Sequence, residues 1–187
     1  MSSCTDNRKC SIVLIGFMGA GKTSLGKAVS KLLQVPFLDT DELIVRSEGM
    51  PVSDIFARKG EEYFRSLETE TVRELGHKED GFVLSVGGGL PLREENRPLL
   101  HRAGTVVYLK VSLDTLTRRL QNDTKRPLLH QGEGTLEENI ARILAVREPL
   151  YLEAADIVYV NDHKPFRTAA EEIASLVKPD AMPSAEG

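Results

Sequence analysis

Five short apolar runs punctuate this chain: Ser11 to Ile15, Val35 to Leu38, Phe82 to Val86, Thr105 to Leu109 and Ile157 to Val160. Between them, apolar residues recur at the three- and four-residue spacing of helices buried on one face. Leu25, Val29, Leu32 and Leu33 predict a helix from Lys22 to about Gln34. The next stretch reads as helix in pieces: Glu42 to about Glu48, a turn at Gly49-Met50-Pro51, Ser53 as N-cap for Asp54 to Arg58, then Glu61 to Leu75 after Gly60. Thr135 caps an amphipathic helix carrying Ile140, Ile143, Leu144 and Val146, which ends near Arg147 to Tyr151. Short strands alternating with helices predict an α/β fold, a three-layer α/β/α arrangement around a central five-stranded parallel sheet.

The pattern fails in three places. Residues 121–134 are polar apart from Leu128-Leu129 and are too long for a plain connector, so they are expected to form a mobile lid. Residues 1–10 are expected to be a flexible N-terminus and residues 178–187 a disordered tail, which leaves 11–177 as a single domain. With 187 residues, 41% of them hydrophobic, the chain can bury one sizeable core. A net charge of −4 and the absence of Trp provide neither a cationic field nor stacking platforms, so nucleic acid is not an expected partner. No membrane-length apolar stretch or secretory leader is legible, and a cytoplasmic monomer is expected. Cys4 and Cys10 read as free thiols, and the four His residues are too scattered for a structural zinc site.

The chemistry enters at Gly16-Phe17-Met18-Gly19-Ala20-Gly21-Lys22-Thr23, which follows the first apolar run and opens the first helix. Glycines let successive backbone N–H groups turn inward as a nest for phosphate oxygens at a helix N-terminus. Gly19, Ala20, Gly21, Lys22, Thr23 and Ser24 are therefore the expected nucleotide-binding residues, with Lys22 reaching the β- and γ-phosphates and the Thr23 hydroxyl meeting Mg²⁺. Neither N-K-x-D nor D-x-x-G occurs, which disfavours a guanine-nucleotide switch. Asp39 and Asp41 end the second apolar run. Residues two apart on extended backbone share a face, so both carboxylates can converge on the γ-phosphate. One can associate with Mg²⁺ while the other accepts a proton from an attacking hydroxyl. A plain acidic turn capping the helix near Glu42 is the competing reading of the pair.

The octet at Gly16 to Thr23, Asp39-Thr40-Asp41, Phe64-Arg65, Gly87-Gly88-Gly89, Arg126-Pro127-Leu128-Leu129 and Arg147-Glu148-Pro149-Leu150-Tyr151 together resemble the shikimate kinase family in order and approximate spacing. The resemblance spans about Ile12 to Leu176. It implies a P-loop kinase fold with a helical substrate-binding insertion over about 42–75, using ATP and Mg²⁺ to phosphorylate the 3-hydroxyl of shikimate. By the same resemblance Asp41 is the candidate base, with Asp39 and Thr23 as the Mg²⁺ residues. Arg65 and Arg147 would grip the substrate carboxylate, and backbone at Gly87, Gly88 and Gly89 would meet the ring hydroxyls. Arg126 is similar to the family's lid arginine, and Lys22, Arg126 and Asp41 form the expected catalytic set. Arg119 resembles an adenine-packing residue, although Arg118 is adjacent, and Lys164 stands where a stacking arginine often occurs. Glu68, three residues after Arg65, can hold its guanidinium in place. Gluconate kinase and nucleoside monophosphate kinase remain the alternatives among enzymes, and a nucleotide-binding regulatory module remains one outside them.

Overall fold

The computed structural model describes residues 11–123, 134–162 and 164–177. Its five strands are β1 (Ile12–Ile15), β2 (Phe37–Asp39), β3 (Val83–Ser85), β4 (Thr105–Lys110) and β5 (Ile157–Val160). All neighbours pair in parallel, in the order β2-β3-β1-β4-β5. The seven α-helices among the described residues are α1 (Lys22–Leu33), α2 (Thr40–Glu48), α3 (Val52–Leu75), α4 (Asn96–Ala103), α5 (Leu113–Leu120), α6 (Leu136–Ala154) and α7 (Phe166–Ser175). The α/β expectation holds.

Central strands are buried on both sides, which is why they read as unbroken apolar runs. Every residue of β1 and β3 is buried. The chain leaves β1 toward β2 on one side and later leaves β3 toward β4 on the other. Right-handed crossovers then put α1 on one face of the sheet and α4 on the opposite face. The connections therefore diverge at the adjacent C-terminal ends of β1 and β3, opening the crevice where such sheets bind ligands.

Alongside the main core, a smaller apolar cluster of Ile44, Ile55 and Phe64 joins α2 to α3. This cluster gives the helical insertion its own packing. Helix α3 is interrupted at Gly60 (φ 85°, ψ 169°), where the sequence places a break between two helical pieces. Helix α2 ends at Gly49 in the left-handed conformation.

Three local expectations are corrected. Helix α3 begins at Val52 after Pro51, and the Ser53 hydroxyl faces the Asp54 carboxylate (3.4 Å) rather than capping a backbone N–H. Proline's fixed φ sets the start of that helix without a side-chain cap. Helix α6 continues through Pro149 to Ala154, beyond the expected end near Tyr151. Asp41 lies inside α2 rather than on extended backbone, so strand alternation is not what relates it to Asp39. Of the lid expected over 121–134, residues 124–133 lie outside the described residues, as do both termini and the two cysteines.

Candidate active site

Helix α1 starts at Lys22 behind Gly21, which adopts φ 95° and offers no side-chain cap. That conformation suits glycine, and the uncapped N–H groups at the positive end of the helix dipole remain available to an anion. There is no acidic residue in the first turn to compete for them. The Lys22 ammonium curls over the loop, donating to the carbonyls of Gly16 (2.8 Å) and Phe17 (3.1 Å). Arg119 of α5 braces the loop from outside, donating to the carbonyls of Gly19 (3.0 Å) and Ala20 (3.3 Å). Asn161, just after β5, also donates to the Ala20 carbonyl, at 3.2 Å. Arg118 turns away to Asp114 and Thr115. The tertiary structure thus separates two arginines that the sequence leaves adjacent and equivalent.

A cavity of about 470 Å³ opens over this loop, with Gly19, Gly21, Lys22, Thr23, Ser24 and Arg119 in its wall. Lys164 and Phe166 also line it. The Lys164 ammonium is bound by Glu172 (2.5 Å) and lies 4.8 Å from the Tyr159 ring centre, so only its stem is free to meet a base. Phe166 is half exposed at the start of α7 and carries no mark in the sequence beyond its aromaticity.

A second cavity of about 440 Å³ adjoins the first. Asp39, Asp41, Arg65, Glu68, Gly87, Gly88, Gly89 and Arg147 all face it, while Val52, Phe56 and Phe64 form an apolar side. The two cavities share Met18, Lys22 and Thr23 as a common wall. Asp39 ends β2 and caps α2: its Oδ1 accepts the Asp41 N–H (3.1 Å) and its Oδ2 accepts the Thr23 hydroxyl (3.3 Å). The capping reading of Asp39 holds, and both carboxylates face the same cavity. Arg126 lies outside the described residues.

Arg65 is held at two points. Its Nη1 donates to Glu68 (2.7 Å) and its Nη2 to Glu61 (3.0 Å). Burial works against the Arg65 charge, yet the two carboxylates hold its pKa above the ordinary value. Burial raises the Glu68 carboxyl above its usual range, the Arg65 guanidinium opposes that rise, and the Asp41 charge adds to it. Only 1% of the Glu68 side chain is exposed, and its Oε1 has no hydrogen-bond partner among the described residues. A Cβ at Gly87 would stand 2.6 Å from that Oε1 and 3.2 Å from Asp41 Oδ1. A side chain at this position would have to displace the Glu68 carboxylate. The Gly87 N–H is committed to the Thr40 hydroxyl (3.0 Å), so that among the three glycines Gly88 and Gly89 are the ones able to offer N–H groups to a ligand. The sequence gives Thr40 no role of its own within Asp39-Thr40-Asp41, although it is fully buried.

Among the described residues no group of three His, Cys, Asp or Glu side chains forms a metal cage. Thr23 and Asp39 nevertheless suit Mg²⁺, which takes one or two protein oxygens and completes its shell with water and phosphate.

Comparison with known proteins adds to this geometry. The family "Shikimate kinase" matches residues 18–178. A shikimate kinase of Dictyoglomus turgidum is 42% identical over 175 residues, covering 92% of this chain and 99% of its own. The structure of shikimate kinase from Acinetobacter baumannii in complex with shikimate superposes with a TM-score of 0.80 at 37% identity, covering 89% of this chain and 92% of that one. A gluconokinase from Sinorhizobium meliloti reaches a TM-score of 0.54 at 20% identity over 91% of this chain and 93% of that one, a likeness of fold alone.

Proposed function

The chain belongs to the shikimate kinase family, and we propose that its two cavities divide the reaction, the phosphate cradle taking ATP and the adjoining cavity taking shikimate. It transfers the γ-phosphoryl group of ATP to the 3-hydroxyl of shikimate, giving shikimate 3-phosphate and ADP in the route to chorismate and the aromatic amino acids. The observation that carries the division is the shared wall at Lys22 and Thr23. A phosphate chain in the first cavity ends where an alcohol in the second begins.

In this reading Arg65 and Arg147 fix the carboxylate through planar, permanently charged forks, and the Gly88 and Gly89 N–H groups meet ring hydroxyls. Asp41 accepts the 3-hydroxyl proton as that oxygen bonds to the γ-phosphorus and the bond to the β-phosphate oxygen breaks. Lys22 and the loop N–H groups counter the charge spread over the transferring group. Thr23 and Asp39 would hold Mg²⁺, which when bound neutralises the β- and γ-phosphate oxygens. Arg126 is assigned to the same charge on its sequence position, and Arg119 with the stem of Lys164 to adenine. A cytoplasmic monomer belongs to the same reading; none of the described helices is long and apolar enough to cross a membrane.

The test is ADP release with shikimate, gluconate and nucleoside monophosphates at fixed ATP and Mg²⁺. Turnover with shikimate alone is expected. Turnover with gluconate and none with shikimate would overturn the reading.

A further inference from the structure

Two side chains from distant parts of the sequence meet on one carbonyl of the phosphate loop. The Ala20 oxygen accepts the Asn161 amide at 3.2 Å and the Arg119 guanidinium at 3.3 Å. A carbonyl oxygen has two lone pairs, so these two donors fill its capacity. Asn161 is buried, and its own backbone N–H is fixed to the Lys110 carbonyl at 2.8 Å. The next residue, Asp162, accepts the Ser112 N–H (3.0 Å) and the Ser112 hydroxyl (2.9 Å) at the start of α5. The Asn161 amide is therefore presented to the loop from a segment that is itself anchored to β4 and to α5.

The consequence lies in a peptide plane. The Ala20 carbonyl and the Gly21 N–H belong to one planar trans unit, so holding the oxygen aims the N–H in the opposite direction, away from Asn161. Gly19 and Gly21, at φ 80° and 95°, stand on either side of Ala20 and have no side chains with which to hold that plane themselves. The Ala20 N–H is already given to the Phe17 carbonyl at 3.2 Å, which leaves the Gly21 N–H as the next one along the loop for a phosphate oxygen. Donors on the carbonyl also polarise the amide and strengthen its N–H. We propose that Asn161 is a positioning residue for the nucleotide, its side-chain amide holding the Ala20–Gly21 peptide so that the Gly21 N–H stays aimed at the phosphates.

This inference rests on the reading of the first cavity as the ATP site, and the experiment separates the two. Asn161→Ala removes the donor and is expected to raise the ATP KM about three- to tenfold, with the shikimate KM within about twofold of wild type. Adenosine has no phosphate, so its inhibition constant against ATP should stay within about twofold. Asn161→Asp keeps the volume but turns an acceptor toward the Ala20 carbonyl, and should raise the ATP KM at least as far. Melting temperatures of the same preparations should fall by only a few degrees. An ATP KM within 1.5-fold of wild type in both variants would overturn the proposal, as would a joint rise of both KM values with a collapse in melting temperature. An equal loss of adenosine and ATP affinity would put Asn161 on the base and overturn it too. Lys22→Ala is the control: if it leaves ATP binding unchanged, the reading of the cavity fails and this inference with it, whereas loss of ATP binding there beside wild-type values in both Asn161 variants overturns the inference alone.

Discussion

Asp39 Oδ1 accepts the backbone N–H of Asp41 at 3.1 Å, so the acid that ends β2 fixes the first turn of the helix carrying the second acid. Its other oxygen takes the Thr23 hydroxyl. Structure and chemistry are thus joined in one carboxylate.

Asp39→Asn separates these roles. Asparagine caps a helix as well as aspartate does, so the melting temperature should stay within a few degrees of wild type. The lost charge should raise the Mg²⁺ concentration needed for half-maximal rate. A Mg²⁺ titration of kcat checks this, and an unchanged midpoint would remove Asp39 from the metal.

Asp41→Asn should bind ATP normally yet lower kcat by about 10²- to 10⁴-fold, the range for loss of a general base. Calorimetric titration with a non-hydrolysable nucleotide and steady-state kinetics read the two effects separately. A kcat near that of wild type would exclude the base role.

Arg65→Ala leaves the buried Glu68 carboxylate without its cation and should cost about 3 kcal/mol of stability together with shikimate affinity. Adding Glu68→Gln should restore most of the stability and none of the affinity. Urea unfolding and shikimate KM distinguish the outcomes; recovery of both together would show that Arg65 acts only through folding.

Gly87→Ala places a methyl group 2.6 Å from Glu68 Oε1. Overpacking should destabilise the protein by about 1–3 kcal/mol. Because Glu68 and Asp41 are the groups displaced, shikimate KM should rise while nucleotide affinity holds. Equal loss of both ligands would contradict the assignment.

Glu68 also sets a sign for pH dependence. Its carboxyl is raised above 4.5 in the folded protein, by burial first and the Asp41 charge afterwards, against the pull of Arg65 and Arg93. The folded state therefore holds this proton to higher pH than the unfolded chain. Its contribution to stability is fully present below 4.5 and is lost as pH rises through the folded value. The stability of Glu68→Gln relative to wild type should accordingly increase as pH rises across that window. Parallel urea-unfolding curves at all pH values would show that the carboxyl is not raised.

Much of the fold was legible because its signals are local. The P-loop could be recognised from one octet between an apolar run and a helical pattern, since the glycines and Lys22 do their work within a single turn of chain. The break at Gly60 and the cap at Thr135 were readable for the same reason. Ser53 misled because Pro51 already sets the helix start, and Asp41 was rightly placed near Asp39 for a wrong geometric reason.

Contacts between residues far apart in sequence were out of reach. Arg119 and Arg118 are chemically identical, and only the packing of α5 against the phosphate loop assigns one to Gly19 and the other to Asp114. Thr40 reaches Gly87 across 47 positions and Tyr151 reaches Gly88 across 63. The sequence by itself determined which residues could carry charge, turn sharply or bind phosphate, because those are properties of a residue and its near neighbours. Which of them face one another was decided by the tertiary structure, since the parallel sheet brings together the ends of strands that the chain keeps far apart.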